Sequence, residues 1–214
     1  MLTCTISHKI GDKAILNKVE FSLEPGRHLL ILGDSGAGKT TLFSILTGIQ
    51  KPSNGVVTYG GRDIFALKSA ELDYFRGKNI GIIFQELHLI PVISLRENLQ
   101  LTNSLIHKKL DDAYIDKLIY DLGLKDKADQ KAENLSVGEQ QRVAIARALV
   151  NKPKWVFADE PTSALDDKNT SATLELLKSH AEKTGASLII ATHDKRLKDA
   201  FANHMVVELK GGQQ

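Results

Sequence analysis

The stretch GDSGAGKTT, from Gly33 to Thr41, places three glycines in front of a lysine and two threonines. It satisfies the pattern G-x-x-x-x-G-K-[ST], in which glycines let backbone N–H groups surround a phosphate because they have no Cβ. An apolar run, HLLIL (28–32), precedes it, and a helix-compatible run from Thr41 to Thr47 follows it. A plain glycine turn is the alternative, but the flanking strand and helix favour a loop that binds nucleotide phosphates.

Both the backbone and the side chains of this loop can contact a nucleoside triphosphate. The helix that follows adds partial positive charge at its N-terminus, which favours a bound anion. Lys39 can reach the β- and γ-phosphates, the Thr40 hydroxyl can hold Mg²⁺, and Thr41 can add a phosphate contact. The backbone N–H groups that would surround the phosphates belong to Gly33, Asp34, Ser35, Gly36, Ala37 and Gly38.

Composition and charge describe an ordinary globular chain. Of 214 residues, 42% are hydrophobic and 25% are charged, and the net charge of +2 gives no reason to expect nucleic acid as a partner. The single cysteine, Cys4, cannot form an internal disulfide, which fits a reducing, cytosolic compartment. The first residues lack a signal peptide's apolar segment, and no apolar run approaches the ~18 residues of a membrane span. We therefore expect a chain that does not cross a membrane by itself but can sit on a membrane protein.

Short apolar runs alternate with helical patterns along the chain, which predicts an α/β fold with a mostly parallel sheet. Their apolar residues are consecutive, as expected for strands covered on both faces. These runs are HLLIL (28–32), IGIIF (80–84), WVFA (155–158) and SLIIA (187–191). Three earlier segments alternate in polarity and predict a smaller antiparallel sheet: residues 2–7, 18–23 and 55–59.

Residues 94–134 interrupt this rhythm with helical patterns. Ser94 and Glu97 form a capping-box pair. One helical face then carries apolar residues, and Gly123 provides a stop; the apolar residues are Ile115, Leu118, Ile119 and Leu122. We therefore expect a single domain, residues 1–214. In it, 1–84 and 135–214 form the core with its β subdomain, and 85–134 form an inserted α-helical subdomain.

Two carboxylates, Asp159 and Glu160, end the apolar strand in WVFADEP. Ligands of open α/β sheets bind at the carboxyl ends of strands, so these groups can meet the loop around Lys39. Asp159 would then assist the Mg²⁺ site, and Glu160 would take a proton from the attacking water or orient it. An acidic pair by itself is usually a solvated strand end; beside a phosphate loop that interpretation is disfavoured.

The segment LSVGEQQRVAIARAL, which begins at Leu135, predicts a buried helix. Ser136 and Glu139 form a second capping-box pair, and apolar residues lie nearly all round the helix behind it. This account does not explain Gly138, because glycine in a first turn costs stability.

The combination of these motifs resembles the nucleotide-binding subunit of ATP-binding-cassette (ABC) transporters, and the resemblance covers essentially all 214 residues. It implies a P-loop NTPase core of the RecA-like type, with ATP and Mg²⁺ as cofactors. The family signature LSGGQ stands here as LSVGE, with Val137 in place of the usual first glycine. The resemblance implies that the Ser136 hydroxyl and the Gly138 N–H contact the γ-phosphate held by a second copy, so ATP would join two copies.

Other family elements match in order. Gln85 is similar to the glutamine that touches Mg²⁺ and couples the helical insertion to the site, and SALD (163–166) resembles the D-loop. His193 resembles the switch histidine, a γ-phosphate contact. The family usually stacks adenine on an aromatic residue; the matching position here is Ile10, with His8 as the alternative.

The stretch QELHLIPVISLREN resembles the branch of ABC ATPases that serves lipoprotein-releasing, macrolide-exporting and cell-division systems (LolD/MacB/FtsE-like). The resemblance implies an integral membrane permease with a large extracytoplasmic domain as partner, and a peripheral location on the cytoplasmic face of the inner membrane. The apolar residues 90–93 either pack internally or line a groove for a helix of that partner.

Other classes of P-loop protein fit less well. A regulatory ATPase that acts on a membrane partner without moving solute would use the same motifs and stays open. A DNA-repair ATPase of the superfamily would carry a long coiled-coil insertion, and a translation factor would usually carry two cassettes. A GTPase would read guanine with Asn-Lys-x-Asp, whereas NKVE and NKPK both end in the wrong residue.

Overall fold

The computed structural model describes residues 1–162, 167–193 and 204–209 of the chain. Its strands are β1 (Leu2–Ile10), β2 (Lys13–Leu23), β3 (His28–Leu32), β4 (Asn54–Tyr59), β5 (Arg62–Asp63), β6 (Ile80–Ile83), β7 (Trp155–Asp159), β8 (Ser187–Thr192) and β9 (His204–Glu208). Its α-helices are α1 (Lys39–Leu46), α2 (Ser69–Asn79), α3 (Leu95–Ser104), α4 (Asp112–Asp121), α5 (Val137–Leu149) and α6 (Asp167–Thr184).

The strands form the two sheets that the sequence predicts. An antiparallel sheet has the order β2–β1–β4–β5, and a parallel sheet has the order β6–β7–β8–β3–β9. All neighbouring strands of the second sheet run in the same direction, so their carboxyl ends lie along one edge. The sequence prediction missed β9, because HMVVE mixes polar and apolar residues, is half exposed at the sheet edge, and makes no apolar run.

Two hydrophobic clusters cover the two faces of the parallel sheet. Along β3, Leu30 faces one cluster, whereas Leu29 and Ile31 face the other. On the second face the ring of Phe157 meets the ring of Phe43 edge-on at 5.7 Å. Burial on both faces is the physical reason why these strands read as continuous apolar runs.

The inserted helices form as the sequence predicts. The carboxylate of Glu97 accepts a hydrogen bond from the Ser94 N–H at 2.7 Å, and the Ser94 hydroxyl accepts one from the Glu97 N–H at 3.1 Å. The apolar face that runs along α4 to its C-cap is buried at all four predicted positions: Ile115, Leu118, Ile119 and Leu122. Gly123 ends this segment with φ +66°, a left-handed conformation that glycine adopts easily. The exact division into residues 1–84, 85–134 and 135–214 stays a prediction.

Substitution of Gly81 tests how closely α5 packs on the parallel sheet. A Cβ at Gly81 in β6 would lie 2.2 Å from the carbonyl oxygen of Ala148 in α5, and neither backbone can move independently of its element. We expect Gly81→Ala to lower the free energy of unfolding by about 1–3 kcal/mol, the usual cost of overpacking. Urea denaturation measures this change, and an unaltered unfolding midpoint would contradict the packing described here.

Candidate functional site

A cleft of about 550 Å³ lies at the carboxyl edge of the parallel sheet. The loop between β3 and α1, the ends of β7 and β8, and the segment after β6 all contribute to it, and the antiparallel sheet closes one side. It gathers most of the residues that the sequence singled out: Ile10, Asp34, Ser35, Gly36, Gly38, Lys39, Thr40, Thr41, Gln85, Asp159, Glu160 and His193. Ile15 of β2 also lines the cleft.

The glycine loop wraps back on itself at the start of α1. Gly38 has φ +94°, and an added Cβ would lie 2.9 Å from the side chain of Leu16, so this position requires glycine. The ammonium group of Lys39 donates to the carbonyl oxygens of Gly33 at 2.8 Å and Asp34 at 3.2 Å. Lys39 is only 8% exposed, so its charge is held inside the loop and faces the cleft.

The carboxyl group of Asp159 lies at the end of β7 beside Thr40. Burial raises its pKa, and a hydrogen bond from the Thr40 hydroxyl opposes that rise. Within the described part of the chain, the buried Oδ1 atom has no hydrogen-bond partner. A hydroxyl and an unpartnered carboxylate oxygen are hard oxygen ligands of the kind that Mg²⁺ prefers, so the residues present fit this ion.

Glu160 lies one residue further and is the most constrained side chain of the cleft. Its Oε1 lies 2.8 Å from His193 Nδ1 and 3.6 Å from Lys39 Nζ, and its Oε2 accepts a hydrogen bond from the Thr192 hydroxyl at 3.1 Å. The Glu160 side chain is 10% exposed, whereas that of His193 is 68% exposed. A buried carboxylate is thus held between two basic groups at the mouth of the cleft.

The structure separates the two candidates for contact with a base. His8 is buried, and both ring nitrogens are engaged: Nε2 lies 2.8 Å from Gln50 Nε2, and Nδ1 accepts from the Ser53 N–H at 3.2 Å. Ile10 instead is 58% exposed and lines the cleft together with Ile15. The geometry therefore favours Ile10 over His8.

The first turn of α5 lies outside the cleft. The Glu139 carboxylate accepts from the Ser136 N–H at 2.8 Å, which completes the predicted capping box, and forms an ion pair with Lys127. Ser136 and Val137 are exposed, and Gly138 is partly exposed. Among the described residues that line the cleft, none belongs to α5, so Ser136 and Gly138 present a separate surface.

The sequence prediction missed three residues of the site and its surroundings, and one predicted segment lies outside the described part of the chain. Thr192 and Ile15 were missed; Thr192 directly precedes His193, whereas Ile15 lies before the alternating part of β2 and had no signal of its own. A third is Gln141, whose side-chain amide donates to the Pro161 carbonyl at 2.9 Å. The SALD segment, residues 163–166, lies outside the described residues.

A phosphate-binding loop, a strand that ends in two carboxylates and a capped, exposed helix start together define an ATP-binding cassette of the P-loop class. Comparison of the sequence with protein families gives the same answer in more detail. The family model described as "ABC transporter" matches residues 16–163. The chain belongs to this family, and it is an ATPase subunit of the ABC transporter type, as the sequence motifs predict.

Individual relatives agree with this assignment. The chain is 40% identical to the lipoprotein-releasing system ATP-binding protein LolD of Syntrophotalea carbinolica, over 86% of this chain and 82% of that one. It is 38% identical to the macrolide export ATP-binding/permease protein MacB of Campylobacter jejuni; the match covers 97% of this chain but 32% of that longer one. No described helix combines the length and the apolar character needed to span a bilayer.

A solved structure resembles the whole fold. It is a dimeric ATP-binding cassette in a post-hydrolysis state, bound to ADP and inorganic phosphate, with a TM-score of 0.86 and 32% identity. The similarity covers 98% of this chain and 94% of that chain. This likeness confirms the predicted fold class: a P-loop core with an antiparallel sheet at its N-terminal side and helices inserted between strands.

Replacement of Glu139 by glutamine tests how charge holds the first turn of α5. The hydrogen-bonded Lys127 and, next, the Ser136 N–H lower the pKa of Glu139 from 4.5 to about 2. Because this pKa is depressed on folding, the stabilisation is complete above pH 4.5 and is lost as pH falls through about 2. We expect Glu139→Gln to melt below the wild type at neutral pH and the difference to shrink as pH approaches 2.

Melting curves followed by circular dichroism at a series of pH values measure this effect. Glu133→Gln is the matched control, because Glu133 is exposed and lies 4.0 Å from Lys131 without capping a helix. A Glu139→Gln protein that melts like the control at neutral pH would contradict the role of the carboxylate at this helix start.

Proposed function

We propose that two copies of this chain share two ATP sites and that Glu160 drives hydrolysis to power a permease in the membrane. One observation carries the proposal: Lys39, Thr40, Asp159 and Glu160 converge in one cleft, while the Ser136–Gly138 surface lies exposed outside it. A chain that uses both surfaces on one nucleotide needs a second copy of itself. The dimeric cassette that resembles this fold supports such an arrangement.

Binding of the triphosphate would rest on the loop before α1. Its N–H groups and the N-terminus of α1 favour anions, and Lys39 needs only to leave the Gly33 and Asp34 carbonyls to meet the β- and γ-phosphates. Thr40, Asp159 and, from the segment after β6, Gln85 would hold Mg²⁺. The bound ion would neutralise charge on the phosphate oxygens. Ile10 and Ile15 would pack on the base through apolar contact.

Hydrolysis would use the carboxylate of Glu160 as general base. Its two oxygens are already oriented by His193 and by Thr192, so a water at the γ-phosphate would meet a fixed acceptor. While its Nδ1 atom stays on Glu160, the exposed ring of His193 would present Nε2 to the γ-phosphate. Lys39, which lies 3.6 Å from Glu160, keeps a positive charge beside the developing negative charge.

Closure of the dimer would bring the first turn of α5 onto the partner copy's nucleotide. The Ser136 hydroxyl and the Gly138 N–H would donate to the γ-phosphate, and the positive end of the helix dipole adds to this attraction. The γ-phosphate would then be held from both sides. Its hydrolysis removes that bridge, so the nucleotide shifts a population between closed and open dimers.

The membrane partner would bind in a groove of about 800 Å³ beside the cleft. Apolar side chains dominate its lining, and two of them are strongly exposed: Leu105 at 74% and Tyr74 at 53%. Phe84 and His88 line the groove and flank Gln85 of the cleft, so one short segment touches both. The Arg147 guanidinium donates to the carbonyl oxygens of Leu87 (2.7 Å) and His88, which holds this segment against α5.

The groove fits an amphipathic helix of a membrane partner. Of the apolar residues 90–93, Ile90 is 39% and Val92 is 61% exposed, which leaves them available to extend such a contact. LolD is named as part of a lipoprotein-releasing system, and MacB carries its permease in the same chain. We therefore propose a permease with a large extracytoplasmic domain as partner, and a peripheral position on the cytoplasmic face of the inner membrane.

The Glu160→Gln variant tests the hydrolytic step. The amide keeps the shape of the side chain but cannot take a proton from water, so we expect ATP to bind while turnover slows by about 10²–10⁴. We also expect this variant to accumulate as a dimer when ATP is added, which light scattering coupled to size-exclusion chromatography measures. Normal phosphate release by Glu160→Gln would remove Glu160 from the mechanism.

The Lys39→Ala variant should instead weaken ATP binding itself.

The Leu105→Glu variant tests the groove. The chain is first purified from native membranes in mild detergent, and the proteins that accompany it are identified. A charge at Leu105 would have to be desolvated under the partner's helix, so we expect the accompanying membrane protein to be lost. Leu101→Glu is the control, because Leu101 is an exposed leucine of α3 (45%) that does not line the groove. Equal recovery of the membrane protein with both variants would rule out this docking surface.

A further inference from the structure

Glu160 has a backbone conformation that its residue type disfavours. Its φ is +47°, in the left-handed region that glycine adopts readily and that a side chain makes costly. Such a conformation persists only when the surroundings hold the main chain on both sides. On the N-terminal side, the main chain is held by the N–H of Glu160, which donates to the Ala191 carbonyl of β8 at 2.8 Å.

The restraint on the other side comes from α5. The side-chain amide of Gln141 donates to the carbonyl oxygen of Pro161, the residue directly after Glu160, at 2.9 Å. Gln141 is only 5% exposed, and Pro161 is also buried. Water cannot easily replace this donor, so removing it leaves a buried carbonyl without its partner.

We propose that Gln141 is a positioning residue for hydrolysis: it fixes the main chain at Pro161 and thereby aims the carboxylate of Glu160. This inference rests on the proposed role of Glu160 as general base. Two hydrogen bonds then hold the main chain on either side of the left-handed residue: the Glu160 N–H donates one, and the Pro161 carbonyl accepts the other from Gln141. Loss of either bond would let the carboxylate leave the orientation that it shares with Thr192 and His193.

The position of Gln141 adds a consequence for the dimer. Gln141 lies on the helix that Ser136 caps, five residues further and about 7.5 Å along the axis. A helix is stiff over that distance. When the Ser136–Gly138 surface contacts the partner copy's nucleotide, any shift of the helix would therefore be passed to the Glu160 carboxylate of the same chain through the buried side chain of Gln141.

The Gln141→Met variant removes the donor and nearly keeps the volume. We expect turnover at saturating ATP to fall by about 10-fold to 10²-fold, the scale of a misplaced catalytic group, while ATP binding to the isolated chain stays unchanged. A glutamine that serves only to fill the core would lower the melting temperature and leave the turnover of the folded protein intact. Gln130→Met is the matched control, because its amide also donates to a main-chain carbonyl, that of Asn134 at 2.8 Å, away from Glu160.

A double-mutant cycle with Glu160→Gln distinguishes loss of the Glu160 orientation from a general loss of activity in the variant. If Gln141 acts through Glu160, Gln141→Met should slow the wild type but add little in the Glu160→Gln background. Equal slowing in both backgrounds would overturn the proposal, and so would a Gln141→Met protein with normal turnover. If Gln141→Met does not fold, Gln141→Leu replaces it in the cycle, because leucine also lacks a donor for Pro161 and leaves no buried charge.

The cycle also separates this inference from the function on which it rests. Normal hydrolysis by Glu160→Gln alone would reject the general base, whatever Gln141 does. Slow hydrolysis by Glu160→Gln combined with normal hydrolysis by Gln141→Met would reject only the positioning role.

Discussion

The site depends on the parallel alignment of β3, β7 and β8, whose carboxyl ends meet at one edge of the sheet. That alignment brings the ammonium group of Lys39 within 3.6 Å of the carboxylate of Glu160, although the two residues are far apart in sequence. Both side chains are at most 10% exposed, and a buried charge is costly unless it is paired. The two loop carbonyls on Lys39 and the hydroxyl of Thr192 on Glu160 complete the compensation. The fold therefore holds opposite charges side by side at the carboxyl edge of the sheet, next to the glycine loop.

Helix α5 links this edge to the rest of the molecule. Over 13 residues, about 20 Å, it carries an exposed first turn, the buried amide of Gln141 and the guanidinium of Arg147. Gln141 holds the chain after Glu160, and Arg147 holds the segment after Gln85 that borders the groove. The close packing of the helix on Gly81 of β6 keeps it in register with the sheet. One helix thus carries the exposed first turn and contacts both the segment after Glu160 and the segment after Gln85.

Local patterns predicted most of the architecture, because they report burial and backbone geometry directly. Strands covered on both faces read as apolar runs, and the helix starts at Ser94 and Ser136 follow from short-range hydrogen bonds. What escaped prediction depends on contacts between distant segments. Strand β9 is identified by its pairing with β3, and Gln141 has no signal of its own because glutamine suits a helix anyway. The sequence named Ile10 and left His8 as the alternative; only the structure shows that Gln50 and Ser53 occupy the histidine ring.

The signature segment of this chain differs from the family pattern at Val137, and the fold explains how that residue is accommodated. Val137 stands where a glycine is usual, at the first position of α5, and it is 58% exposed. Because that position is helical and open to solvent, a β-branched side chain fits there without strain in the single chain. Its methyl groups can matter only when another surface covers them, which is what a closed dimer would do. We therefore expect this valine to act mainly through the contact between copies.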